Sequence, residues 1–195
     1  MNPKSDNDTR MRILDAADDL FRTRGYSSVT LRDIADTVGM RHASLYYYAP
    51  DGKKQLYVEV MERSFARHRE GLAQAITDAG DDFSAQMHAA ARWIVTQPPM
   101  DISRMAHADM SDLTEEQAAR LMQIAYDAIR LPIVDALKQA SEAGVIHFSN
   151  HDLAAMALVS MVQSVHGIPM RPEGRWRERI GRQLVDMLLQ GWLHM

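Results

Sequence analysis

Apolar residues in this chain recur at intervals of three and four, and the runs are cut by glycine and proline. Ile13, Leu14, Ala17, Leu20 and Phe21 line one side of a helix predicted over residues 10–25, with Gly25 where a helix commonly stops. Leu31, Ile34, Ala35 and Val38 form a second buried face at i, i+3, i+4, i+7, opened by Thr30 as N-cap with Asp33 three residues later. Gly39 ends that helix, because glycine takes a positive φ without steric cost. A third short helix, 41–48, is anchored by Leu45 and exposes Arg41, His42, Ser44, Tyr46 and Tyr48. Two short helices set at a steep angle by a glycine turn make a helix-turn-helix, and the side chains left outside are types that hydrogen-bond to phosphates or base edges.

Beyond Leu56 the pattern stays helical, with no alternating β-branched run and no Asn-Gly hairpin signal. A long helix over 57–79 stops at Gly80. Another opens at Asp81-Asp82-Phe83-Ser84, carries Met87, Ala91, Trp93 and Ile94, and stops at Gln97-Pro98-Pro99. A short segment over 101–109 precedes Thr114 and Gln117, a capping box that starts a helix running to about residue 143. Pro132 inside it predicts a kink or a local break. Ser149 or Asn150 caps a helix over 151–166, and a last helix over 173–193 presents Ile180, Leu184, Met187 and Leu188. The fold class is therefore all-α, in two domains: a three-helix domain with the helix-turn-helix over 1–55, and a helical domain over 56–195.

Composition narrows the chemistry. At 195 residues, 46% hydrophobic and 25% charged, the chain is an ordinary globular sequence able to bury its own core. It has no cysteine, which removes disulfide, thiolate-zinc and cysteine-nucleophile chemistry and suits a reducing compartment. No apolar run reaches a membrane span and the first residues are polar, so the expected location is the cytoplasm, with no membrane partner. The net charge of −4 divides unevenly, +1 over residues 1–54 and −5 over 55–195. Contact with nucleic acid would thus rest on individually placed groups rather than on a diffuse field.

The series Ile13-Leu-Asp-Ala-Ala, Leu20-Phe21, Gly25-Tyr26, Val29-Thr-Leu-Arg-Asp-Ile-Ala35, Val38-Gly39 and Ser44-Leu-Tyr-Tyr47 resembles the N-terminal domain of the tetracycline-repressor (TetR) family of transcriptional regulators. The likeness covers about the first quarter of the chain. It departs at Ala49, where the family usually has an aromatic residue, and at Asp51-Gly52, which makes the following link one residue longer. A looser likeness joins Ala143-Gly144 and Ser149 to Leu153 to the link before the family's last two helices.

The resemblance implies a homodimer on palindromic operator DNA, most simply a repressor, released by a small-molecule effector. Thr30, Arg32, Arg41, His42, Ser44, Tyr46, Tyr48 and Lys53 would contact the DNA. Two amphipathic C-terminal helices would pair with their copies through Leu158, Met161, Val165, Ile180, Leu184, Met187 and Leu188. The effector would lie among Met61, Phe65, Met87, Trp93, Met105, His107, Met122 and Tyr126, where methionine suits an adaptable apolar site. Methionine and aromatic residues at helical spacing equally describe a plain core.

Other chemistries find less support. His147 and His151 are four apart, but Ser149-Asn150 interrupts the helix they would need to share, and no His-Glu-x-x-His motif is present. No metal, no cofactor and no catalytic residue is expected. A helical enzyme would have to use His107, Asp109 and Tyr126 without a nucleophile elbow or phosphate loop. A third alternative is an interaction protein whose helix-turn-helix has lost DNA binding, for which Ala49 is the sequence support.

Overall fold

The computed structural model describes residues 3–97, 113–147, 150–169 and 175–193, with side chains from residue 6. The described residues hold eight α-helices and no strand. They fall into two compact units. One contains the chain up to Phe65 and the start of a later helix up to Ala125; the other runs on from Ala66 and resumes at Tyr126.

In the first unit α1 (Pro3–Arg24), α2 (Leu31–Val38) and α3 (His42–Tyr48) fold beside the first turns of α4 (Lys53–Asp78). Ile13, Ala17, Ile34, Ala35 and Leu45 are wholly buried, as their spacing predicts. Phe21, Tyr26 and Tyr57 form an aromatic triangle with centroids 4.7–5.7 Å apart, a geometry favoured by ring quadrupoles. Two chain reversals set the helix angles. Gly25 (φ 76°) follows α1, and Gly39 (φ 70°) closes α2, where its N–H reaches Asp36 O and the Met40 N–H reaches Ala35 O. α1 starts well before the residue 10 expected from its apolar face, because its first turns are polar and are held by contacts with α3 and α4 described below.

The second unit packs around α5 (Phe83–Thr96). Met87, Ala90, Ala91, Ile94 and Val95 share one buried cluster with Ile133, Val134 and Leu137 of α6 (Glu115–Glu142), Leu158 and Val162 of α7 (His151–Gln163), and Val185 and Leu189 of α8 (Trp176–Trp192). Gly181 lets α8 approach closely: a β-carbon there would stand 3.2 Å from Val95 Cγ1. α6 opens on the predicted capping box, Thr114 and Gln117 exchanging two bonds of 3.2 Å. It runs unbroken through Pro132, so no local break occurs there. Pro132 is buried and leaves only the Ala128 carbonyl without its usual helical donor. α7 is capped by Asn150, whose Oδ1 accepts from the Leu153 N–H at 2.9 Å, and tightens into a 3₁₀ turn over Ser164–Gly167 instead of staying α-helical to 166.

Candidate DNA-reading surface and effector half

α3 is rotated by one anchor. Leu45 is wholly buried, and a seven-residue helix pinned at that point turns Arg41, His42, Ser44, Tyr46 and Tyr47 to solvent. His42 and Tyr46, one turn apart, meet edge to face at 5.3 Å. Arg41 at the N-cap and Arg32 on α2 are both exposed and make no ion pair among the described residues. α2 is braced at its start: the Thr30 N–H donates to Asp33 Oδ2 (2.8 Å) and the Asp33 N–H donates to Thr30 Oγ1 (3.2 Å). The Thr30 hydroxyl, then its N–H, hold the Asp33 carboxyl below the usual carboxylate range, with help from Arg24.

Two of the expected DNA contacts point elsewhere. The Tyr48 hydroxyl donates to Asp6 on α1 (2.8 Å), a bond that raises its pKa and leaves the ring half-buried. Lys53 Nζ donates to Tyr26 O (3.0 Å) and lies 4.1 Å from the centre of that ring, a cation–π contact. Tyr48 and Lys53 are thus engaged within the protein, while Tyr47, which was not among the expected contacts, is exposed beside Tyr46. A further set was missed. Arg10 donates to the Tyr48 carbonyl at the end of α3 (2.9 Å) and pairs with Glu59 on α4, which also accepts from Gln55 (2.9 Å). These partners lie 38 and 49 residues from Arg10, beyond the reach of any local pattern.

In the helical half the expected effector residues separate. Phe65 and Met87 are fully buried core, so they are not open to a ligand. Met61 and Met122 are half-buried in the first unit. In the second, Trp93 is half-buried with its indole against Gly71, where a β-carbon would come within 3.1 Å, and edge-on to His68 at 5.4 Å. Burial, then the Arg67 charge, keeps the His68 pKa below the ordinary histidine value. Tyr126 is exposed under Arg130, which also pairs with Asp127 and Asp152. Met105, His107 and Asp109 lie outside the described residues. No group of histidine and carboxylate side chains suited to a metal occurs among the described residues.

The pairing face is likewise redrawn. Leu158 and Val165 are wholly buried in their own protomer's core and are not available to a second copy. Met161, Ile180, Leu184 and Leu188 are half-buried, and Met187 is 65% exposed. Leu153 and Met156, left out of the expected face, stand exposed on α7 one turn apart. No helix among the described residues is long and apolar enough to cross a membrane.

Two family models match the chain, one describing bacterial regulatory proteins of the tetR family over residues 13–60 and one describing the tetracyclin repressor-like C-terminal domain over residues 77–192. LmrA, an HTH-type transcriptional regulator of Bacillus subtilis, is 36% identical over 81 residues, 40% of this chain and 43% of LmrA. The chain spans less than half the length of the curated relatives it matches. The fold recurs in a crystal structure from Mesorhizobium loti assigned to the TetR family, with TM-score 0.79 and 16% identity over 95% of this chain and 97% of that one. It recurs also in AibR in complex with isovaleryl coenzyme A and operator DNA, with TM-score 0.61 and 23% identity over 92% and 97% of the two chains. With one model matched along more than half of its length and another on its helix-turn-helix, the chain belongs to the tetR family of bacterial regulatory proteins.

Proposed function

We propose that the protein is a ligand-responsive transcriptional repressor, a homodimer that binds a palindromic operator and is released by a small molecule, acting in the cytoplasm and without catalysis. The observation that carries this reading is the exposed row on α3, with Arg41, His42, Ser44 and Tyr46 outside and Leu45 alone inside. Arginine and histidine at the start of such a helix suit base edges, and Tyr46, Arg32 and the exposed face of Thr30 suit phosphates. The reading domain is 1–55 and the remainder receives the effector and pairs the copies. AibR, which shares the fold, is bound to both a ligand and operator DNA in its crystal structure.

A second copy is needed because one seven-residue helix makes too few contacts for tight specific binding, and two such helices reach successive major grooves only at a spacing of about 34–36 Å. The effector is read as lying against Trp93, beside His68 and Gly71, where a half-buried indole meets a position without a side chain. An effector coupling of about 1–3 kcal/mol lowers operator affinity roughly 5- to 150-fold.

The test is titration of the protein against its own upstream DNA and a scrambled duplex at two salt concentrations. Specific binding should exceed scrambled binding, and Arg41→Ala should cost about 1–3 kcal/mol and relax preference at one position. Equal affinity for the two duplexes would remove the reading and leave an interaction protein.

A further inference from the structure

A groove of about 900 Å³ runs between α5 and α8, both in the second unit. Helical period builds its walls: Asp82, Ala85, Ala89 and Arg92 follow one face of α5, and Arg175, Glu178, Arg179 and Arg182 one face of α8. The two helices run antiparallel, since Arg92 pairs with Glu178 (3.5 Å), His88 with Asp186 (3.0 Å), and Phe83 meets Trp192. The four arginines therefore gather towards one end of the groove and Asp82 lies at the other, where its carboxylate caps α5 by accepting from the Ala85 N–H at 2.9 Å.

This concentration of charge needs an explanation. Residues 55–195 carry a net charge of −5, yet four guanidinium groups face one stretch of surface, with Glu178 as the carboxylate among them in the described residues, and Arg179 has a further interaction of its own. Arg92 is 72% exposed, so its pair with Glu178 is weak. Arg175 and Arg182 make no ion pair among the described residues. Arg175 also keeps a left-handed backbone (φ 58°), the one non-glycine residue to do so among the described residues, a conformation that costs free energy and recurs at binding sites. Like charges so arranged repel one another, and an anion between them removes the repulsion and gains charge-assisted, bidentate hydrogen bonds. Ala85 and Ala89 leave room beside them, and the volume is that of a small-molecule site.

We propose that the basic end of this groove binds a small polyanion, a phosphate ester or a di- or tricarboxylate, clamped by Arg92, Arg175, Arg179 and Arg182. The site takes a charged ligand and includes none of the residues assigned to DNA or to the apolar effector, so its test does not depend on that reading. Calorimetric titration of the full chain with pyrophosphate and with citrate, at physiological salt, provides it. At least one probe should bind saturably, about tenfold or more weakly in Arg182→Gln and Arg175→Gln. Arg182→Lys, which keeps the charge and loses the fork, should fall between them and the parent, and Arg69→Gln, an exposed arginine of α4 outside the groove, should bind as the parent does. Circular dichroism certifies that each variant is folded. The absence of saturable binding by either probe, or equal affinity in the Arg182 and Arg69 variants, overturns the proposal.

Discussion

Tyr46 and Tyr48 sit two residues apart on α3 and meet different surroundings: Tyr46 is exposed, whereas the Tyr48 hydroxyl is bonded to Asp6. Their phenylalanine variants should therefore separate binding from stability. Tyr48→Phe should lower the melting temperature by a few degrees, as loss of a partly buried hydrogen bond does. Tyr46→Phe should leave melting unchanged and weaken specific and scrambled DNA alike; the reverse pattern would show the two roles to be exchanged. The Thr30–Asp33 box offers a pH test. The Asp33 carboxyl titrates lower folded than unfolded, so its stabilisation is complete above the unfolded-state value and is lost as pH falls through the folded one. The difference in denaturant stability between the parent and Thr30→Ala should be largest near neutrality and shrink below about pH 4. A difference constant with pH would show that the hydroxyl acts without the carboxylate. The box was legible in the sequence because its partners are three residues apart. The bond from Tyr48 to Asp6 spans 42, and nothing local marks it.

Among the elements, two glycines do different work. Gly39 has a positive φ and nothing within 4 Å of where a β-carbon would stand, so Gly39→Ala should cost about 1 kcal/mol through backbone strain alone. Gly71 lies inside α4, where alanine gains up to about 1 kcal/mol of helix propensity, but its β-carbon would press on the Trp93 indole at 3.1 Å. Gly71→Ala should thus fall short of that gain and shift the Trp93 fluorescence, read with Trp176 and Trp192 replaced by phenylalanine; full gain with an unmoved spectrum would show the indole to be loosely held. The helix-turn-helix was readable because one face of each short helix is polar. α7 was not, since Leu153, Met156, Leu158, Met161 and Val162 spread around more than half of it, and a helix with so wide an apolar surface does not declare which part of it turns inward. Contact with α5 decides that, and it buries Leu158 and leaves Leu153 and Met156 outside.

For the whole molecule, the exposed apolar face on α7 and α8 makes assembly testable. If two copies pair through this face as proposed, Met187→Glu, or Leu184→Glu, would put an unpaired charge into it, at a cost of several kcal/mol to the dimer. The variant should sediment as a monomer and lose specific operator affinity together with dimerisation. Retained affinity in a monomer would contradict the repressor mechanism. Leu158→Glu is the wrong variant for this purpose, because it would unfold the protomer before it said anything about pairing.

The guanidinium of Arg10 joins three helices, receiving the last turn of α3 on one side and Glu59 of α4 on the other. In genetic terms, this enlarges the target for loss of repression. A selection for constitutive expression should return substitutions at Arg10 and Glu59 about as readily as at Arg41 and His42, although neither belongs to the proposed reading surface, and those mutants should keep the parent's base preference while losing occupancy. If the selected alleles cluster on α3 alone, the helix holds its pose without that tether.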